Sequence, residues 1–184
     1  MLAERIGGLL PHLEDNDAVV ATMIHSAAGE RISGLVRRPP FRSPHHSASM
    51  VAMVGGGSGH LRPGEVSLAH GGVLFLDEVG EFAPSVLDAL RQPLENGEIR
   101  IARAGIGASM PARFLLVGAT NPCPCGGGGP GACVCSDNAR QRYLRRLSGP
   151  LLDRFDIRVA VAATSPLDLL DDTPAESTEV IRDR

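Results

Sequence analysis

The chain has 184 residues, 43% of them hydrophobic and 21% charged, a balance that fits one globular domain and excludes a disordered polyelectrolyte. A formal net charge of -3 excludes a whole-protein polycation, so contact with nucleic acid would have to come from local basic patches. One Tyr, five Phe and no Trp mean that the core must be aliphatic, and no apolar run approaches a membrane span or a secretory signal, so a cytoplasmic location is expected.

Leu2, Ile6, Leu9 and Leu10 recur at helical spacing until Pro11 ends the run. A second helix is expected from Asp15 or Asn16, either of which can cap free backbone N–H groups, to Gly29. From Arg37 to His46 the sequence RRPPFRSPHH has three prolines and must be largely extended. A short helix at 47–54 and a flexible glycine loop at 55–59 follow. Two apolar runs, 72–77 and 114–119, are short enough for strands buried on both faces, and 157–162 is a weaker third. Helical patterns at 84–95 and 137–148 separate them, which gives an α/β fold with a mostly parallel sheet flanked by helices. Between Gly97 and Arg113 alternating Ile99, Ile101 and Arg100, Arg103, followed by glycine, predict a projecting β-hairpin.

The strongest chemical signal is Val73-Leu-Phe-Leu-Asp77-Glu78, an apolar strand that ends in two adjacent carboxylates. At the C-terminal edge of a parallel sheet, where ligands bind, Asp77 can hold Mg²⁺ and Glu78 can activate a water against a γ-phosphate. The plainer alternative is that Asp77 caps the next helix and Glu78 is merely solvated. The run 114–119 also ends in polar residues, and Asn121 there could orient the attacking water, although Asn at a strand end is more often a turn residue. Arg154, in Leu151-Leu-Asp-Arg-Phe-Asp156, stands where a neighbouring subunit's phosphate could meet it, or where it could pair with Asp153 or Asp156.

Cys123, Cys125, Cys133 and Cys135 form two C-x-C pairs in a glycine-rich loop. Four thiolates could make a tetrahedral Zn²⁺ site. Because zinc knuckles ordinarily use C-x-x-C, reduced thiols remain an equal alternative, and a disulfide a lesser one in a reducing compartment. His45 and His46 could also be read as ligands, but in a Pro-rich segment they are expected to pack or hydrogen-bond.

The carboxylate pair, the Asn121 strand end and Arg154, in this order, resemble the Walker B, sensor 1 and arginine-finger elements of an AAA+ ATPase. The segments RPPFRSPHHSAS, GEVSLAHGGVLFLDE, ATNPCPCG and RYLRRLSGPLLDRFDI are similar to the magnesium-chelatase-like subfamily of the ComM/YifB type, over nearly the whole chain. The resemblance implies ATP and Mg²⁺ as cofactors, Asp77 for the metal, Glu78 as catalytic carboxylate, Asn121 as sensor and Arg154 as a finger acting between like subunits in a ring. It also favours a motor acting on DNA, in branch migration or unwinding during recombination, or else one driving metal insertion; for a DNA motor the basic Arg100 and Arg103 of the hairpin are the candidate phosphate contacts. Val79-Gly80 stands where the family would have a Leu-Pro or similar pair.

A larger departure is that GxxxxGK[ST] does not occur and the chain has no Lys, so the phosphate-gripping loop is not in it. The resemblance therefore implies a chain that starts just after that loop, 1–165 being a partial core and 166–184 the approach to a lid. It further implies that the strand preceding the loop, which the family places between 157–162 and 114–119, is missing, leaving either a gap or a rearranged pairing with exposed apolar edges. Such a remnant would be catalytically silent alone and would at most bind zinc or a partner.

Overall fold

The computed structural model describes residues 2–57, 61–103, 106–127, 133–146, 149–161 and 175–184, except for the side chains of residues 102, 103, 106 and 150. The described elements are α1 (Leu2–Ile6), α2 (Asp15–Ala28), β1 (Phe41–Arg42), α3 (Met50–Val54), β2 (Gly55–Gly56), β3 (Arg62–Pro63), α4 (Glu65–Leu68), β4 (Val73–Leu76), α5 (Pro84–Ala89), α6 (Arg91–Asn96), β5 (Glu98–Arg103), β6 (Ile106–Pro111), β7 (Leu115–Gly118), α7 (Asp137–Arg146), α8 (Gly149–Leu152) and α9 (Thr178–Arg182).

A parallel sheet of order β1-β4-β7 is flanked by helices, and two antiparallel ribbons, β2-β3 and β5-β6, lie beside it. The fold is mixed α/β, as the alternating apolar runs and helical patterns predict. All four residues of the central strand β4 are buried. Side chains alternate across a strand, and Leu74 and Leu76 join Met53, Val66, Val79, Phe82, Val86, Leu87, Leu90, Ile99 and Leu151 in one mainly aliphatic cluster. Phe75, with the opposite parity, lies 6.1 Å from the Phe41 ring of β1.

Helix α2 begins where expected, but Glu14 occupies the N-cap and no side chain caps it. Asp15 and Asp17 instead place negative charge in its first turn, where the helix dipole favours it. The helix ends on Gly29 in a left-handed conformation, with φ 88°. In α3 the Ser49 hydroxyl accepts the Ala52 N–H at 3.2 Å. The pattern at 84–95 resolves into two short helices rather than one. Pro93 has no N–H and its ring would crowd the carbonyl of Ala89, and α5 ends at that residue.

Three expectations are corrected. The segment 37–46 is extended, but Phe41–Arg42 also pairs in parallel with Val73–Leu74, so it contributes a sheet strand. Strand β7 is not buried on both faces: it lies at the sheet edge with Leu115 47% exposed. The third strand is not formed over 157–161; residue 162 lies outside the described residues. Ile157, Val159 and Val161 are 80%, 76% and 80% exposed, and no strand lies beside them among the described residues to satisfy their backbone. The proposed division near residue 165 also falls outside the described residues.

The hairpin at 97–113 is present as β5-β6, in register from Glu98 opposite Pro111 to Arg103 opposite Ile106. It does not simply project, because Ile99 and Ile101 are buried at 3% and 8% exposure while the Arg100 side chain is 72% exposed. The residues of its turn, 104–105, lie outside the described set.

Two ionisable groups tie the sheet to its surroundings and make stability pH-dependent. His70 is buried, and its Nδ1 accepts the Arg113 backbone N–H at 3.1 Å. Burial, opposed by Asp17 and reinforced by Arg113, pulls its pKa below the ordinary 6.5. The hydrogen bond from His25, with further help from Arg42, holds Glu30 below the ordinary 4.5. Both folded pKa values are depressed, so both groups favour the folded state above their unfolded pKa values and lose that contribution as pH falls through the folded ones. The urea midpoint should therefore fall when the pH drops from 7.5 to 5.5, and His70→Asn should flatten that slope. A midpoint that stays level or rises would contradict this reading.

Candidate functional site

The site begins with the parallel register. Leu76 of β4 stands opposite Gly118 of β7, and the Ala119 N–H donates to the Leu76 carbonyl at 2.9 Å. The Val79 N–H then donates back to the Ala119 carbonyl at 2.9 Å, which ties the two strand ends together just where Asp77 and Glu78 emerge. The Gly118 position admits no side chain without strain, because a Cβ there would come within 2.9 Å of Val79 Cγ2. Both carboxylates are exposed at the C-terminal edge of the sheet.

Glu78 is the one non-glycine with positive φ among the described residues, at φ 51° and ψ 49°. A left-handed glutamate costs energy, and such residues gather at functional sites. The Asp77 Oδ1 accepts the Glu78 N–H at 2.9 Å, which helps to hold this turn, but the single helical turn that follows, Val79–Glu81, has Glu78 at its N-cap and no side chain caps it. Asp77 and Glu78 line an open cleft together with Ser43, Pro44, His45 and His46.

His46 is the part of this site that was not read from the sequence. Its Nδ1 lies 3.3 Å from Glu78 Oε2, and its ring stacks on His45 at 4.0 Å. His45 Nδ1 pairs with the Ser47 hydroxyl at 2.7 Å. His45 does hydrogen-bond, as expected, to Ser47, while His46 meets the carboxylate pair as an ion-pair contact to Glu78. The register explains it: Phe41 pairs with Val73 in parallel, and His46 and Glu78 each lie five residues further on, just past the ends of β1 and β4. The signal was available in the order strand, then histidines, once PPFRSPHH is recognised as containing a strand.

Asn121 lies exposed on the same edge, three residues beyond β7. Beside it the Thr120 hydroxyl is 3.3 Å from the Tyr143 hydroxyl of α7. Tyr143 is buried and occupies the space above Gly80, where an added Cβ would sit 2.4 Å from its ring. That close approach accounts for a glycine after Val79. Arg146, one turn along α7, donates to the Gly80 carbonyl at 2.9 Å and pairs with Glu81 at 3.1 Å. Arg154 is not brought to the carboxylates; it forms an ion pair with Glu95 of α6. Arg100 pairs with Glu98, and the Arg103 side chain lies outside the described residues.

The four cysteines do converge. Their sulfurs all lie within 4.8 Å of one another, a donor set that could hold zinc, and no disulfide joins them. Backbone N–H groups of Gly127 and Val134 donate to Cys125 and lower its thiol pKa to about 6, while the neighbouring Cys125 sulfur pushes Cys135 up to about 11.

A parallel sheet whose central strand ends in an acidic pair, beside a strand that ends in Thr120-Asn121, is the arrangement of an AAA+-type core. The chain belongs to the magnesium chelatase ChlI family, whose model matches residues 1–169. It is 57% identical over 162 residues to the uncharacterized protein Rv2897c of Mycobacterium tuberculosis, covering 86% of this chain and 32% of that protein. It is 48% identical over 187 residues to the uncharacterized protein YifB of Escherichia coli, covering 100% of this chain and 37% of that one. Identity to the competence protein ComM of Haemophilus influenzae is 51% over 162 residues, 88% of this chain and 32% of ComM. The chain thus spans about a third of the length of these relatives. No helix among the described residues is long and apolar enough to cross a membrane.

Proposed function

We propose that this chain supplies the metal-binding and water-activating side of an ATP-driven motor that acts on DNA as a ring of like subunits. The observation that carries the reading is the exposed Asp77-Glu78 pair at the C-terminal end of β4, held in a left-handed turn beside the Asn121 strand end. The residues present fit the metal end of Mg²⁺·ATP: Asp77 is an exposed oxygen donor of the kind Mg²⁺ takes, and Glu78 stands next to it. Bound Mg²⁺ would neutralise phosphate charge. Glu78, with His46 fixing one of its oxygens, would hold and deprotonate a water, and Asn121 would orient it. The phosphate end does not fit equally. The 184 residues hold neither GxxxxGK[ST] nor any Lys, so these residues alone should bind nucleotide weakly.

Arg154 is the candidate finger, and to act on a neighbour's phosphate it must leave Glu95. What supports DNA as the client is the outward Arg100 on the β5-β6 hairpin, with Arg103 on the same strand, and the likeness to a protein named for competence. Metal insertion is the second reading, favoured by the chelatase subunit for which the family model is named.

Binding to single-stranded and branched DNA at rising salt separates the two. A DNA motor predicts salt-sensitive binding that weakens at least several-fold when Arg100→Ala and Arg103→Ala are combined. Unchanged binding in the double variant would remove the hairpin from the reading. No DNA binding by a ring-forming protein that carries these residues and a phosphate loop would remove the DNA client.

A further inference from the structure

We propose that Cys123, Cys125, Cys133 and Cys135 form a closed structural zinc site that clamps the loop between the Asn121 strand end and helix α7. The proposal rests on the thiol geometry and does not depend on the nucleotide reading.

Four thiolates at the usual Zn–S length of about 2.3 Å form a tetrahedron whose edges are about 3.8 Å. Cys123 and Cys125 have their sulfurs 3.4 Å apart, Cys133 is 3.5 Å from Cys123, and Cys125 is 3.8 Å from Cys133. With all four within 4.8 Å of one another, the set needs only small shifts to become a regular S₄ cage. The sulfurs are also already furnished with donors. Backbone N–H groups of Gly127 and Val134 reach Cys125, that of Cys135 reaches Cys133, and that of Cys125 reaches Cys135. N–H···S bonds of this kind orient thiolate ligands and spread their charge, a role that outer-shell groups play around metals. Gly126, at φ 72°, makes the turn that lets the Cys125 sulfur face these amides.

The C-x-C spacing does not prevent this cage, because the two pairs come from opposite ends of one loop and each contributes an edge. Cys123, 2% exposed, closes the inner side. All four positions are sulfur, so the metal has no open coordination site and its role is structural. Binding exchanges thiol protons for Zn²⁺, with the protons leaving to solvent and no change of oxidation state.

The position of the clamp gives it a consequence. Asn121 precedes the first cysteine by two residues, and α7 begins two residues after the last. Helix α7 carries Tyr143 against Gly80 and Thr120, and Arg146 against the Gly80 carbonyl. Closing the loop on zinc therefore fixes the Asn121 strand end and the helix that braces the turn after Glu78. Loss of the metal, or oxidation of the thiols, would loosen both together.

The test titrates the reduced, chelator-treated protein with Zn²⁺ and with Co²⁺. One metal per chain, the intense visible bands and thiolate charge transfer of tetrahedral cobalt, and shielding of all four thiols from a thiol reagent are expected. Hydrogen exchange at 121–127 and 133–146 should slow on zinc addition. The Cys133→Ser, Cys135→Ser double variant should lose stoichiometric binding while its far-ultraviolet dichroism shows it still folded. If that variant fails to fold, the wild-type cobalt spectrum and thiol count decide. Four thiols still reactive in excess Zn²⁺, an octahedral cobalt spectrum, or a bound iron–sulfur chromophore in the purified protein would each overturn the proposal.

Discussion

Gly72→Ala should lower stability by about 3 kcal/mol or more, a large effect for adding one methyl group. Gly72 sits at the entry to β4, and a Cβ there would lie 1.9 Å from the Pro40 carbonyl oxygen and 2.6 Å from the Pro40 nitrogen. Both are backbone atoms, so no side chain can swing away. Relief requires β1 and β4 to part. That motion breaks the bond from the Val73 N–H to the Pro40 carbonyl, 2.8 Å, and strains the one on the other side, from the Leu115 N–H to the Gly72 carbonyl, 2.8 Å. For a chain of this size each kcal/mol moves the melting temperature by roughly 2–4 °C, so a drop of about 6–12 °C is expected. Gly34→Ala is the control: nothing lies within 4 Å of its added Cβ and its φ is not positive, so its melting temperature should barely move. Equal melting of the two variants would mean that β1 does not pair where it is placed, and His46 would then lose its route to Glu78.

The second large effect is chemical. In a chain that joins these residues to a phosphate-binding loop, Glu78→Gln should lower ATP turnover by roughly 10²- to 10⁴-fold, the span that a positioned general base contributes. The amide keeps the size of the side chain and can still meet His46, whose Nδ1 is 3.3 Å from the carboxylate, but it cannot take a proton from water. Asp77 is untouched, so the metal-dependent part of nucleotide binding should persist. The expected signature is a fall in kcat with little change in affinity, which separates lost chemistry from lost structure.

The features that the sequence disclosed and those it hid differ in how local their causes are. Strand β4 was legible because four consecutive apolar residues bounded by Gly72 and Asp77 admit little else. The β5-β6 ribbon was legible from alternation, and α2 from its periodicity and the Gly29 stop. Phe41–Arg42 was not, since two residues between prolines carry no periodic signal and form a strand only because Val73–Leu74 lies alongside. His46 at Glu78 was hidden for the same reason, as it depends on that pairing. The exposure of β7 and of 157–161 could not come from their apolar residues, which read as buried strands; it is set by what does or does not lie beside them. Asp77, Glu78 and Asn121 were found at one sheet edge because a parallel sheet sends its strand ends there. Arg154 reads in the sequence as reaching a neighbouring subunit; its partner within the chain, Glu95 of α6, is 59 residues away and left no local signal.

The account turns on Asp77-Glu78 being the metal and water side of an ATP site. Its most direct test is to measure, on the same loop-containing protein, Mg²⁺-dependent nucleotide affinity and single-turnover hydrolysis for wild type and Glu78→Gln. The account predicts comparable affinity and a hydrolysis rate at least about 100-fold slower in the variant. Hydrolysis at the wild-type rate by a folded Glu78→Gln protein would contradict it.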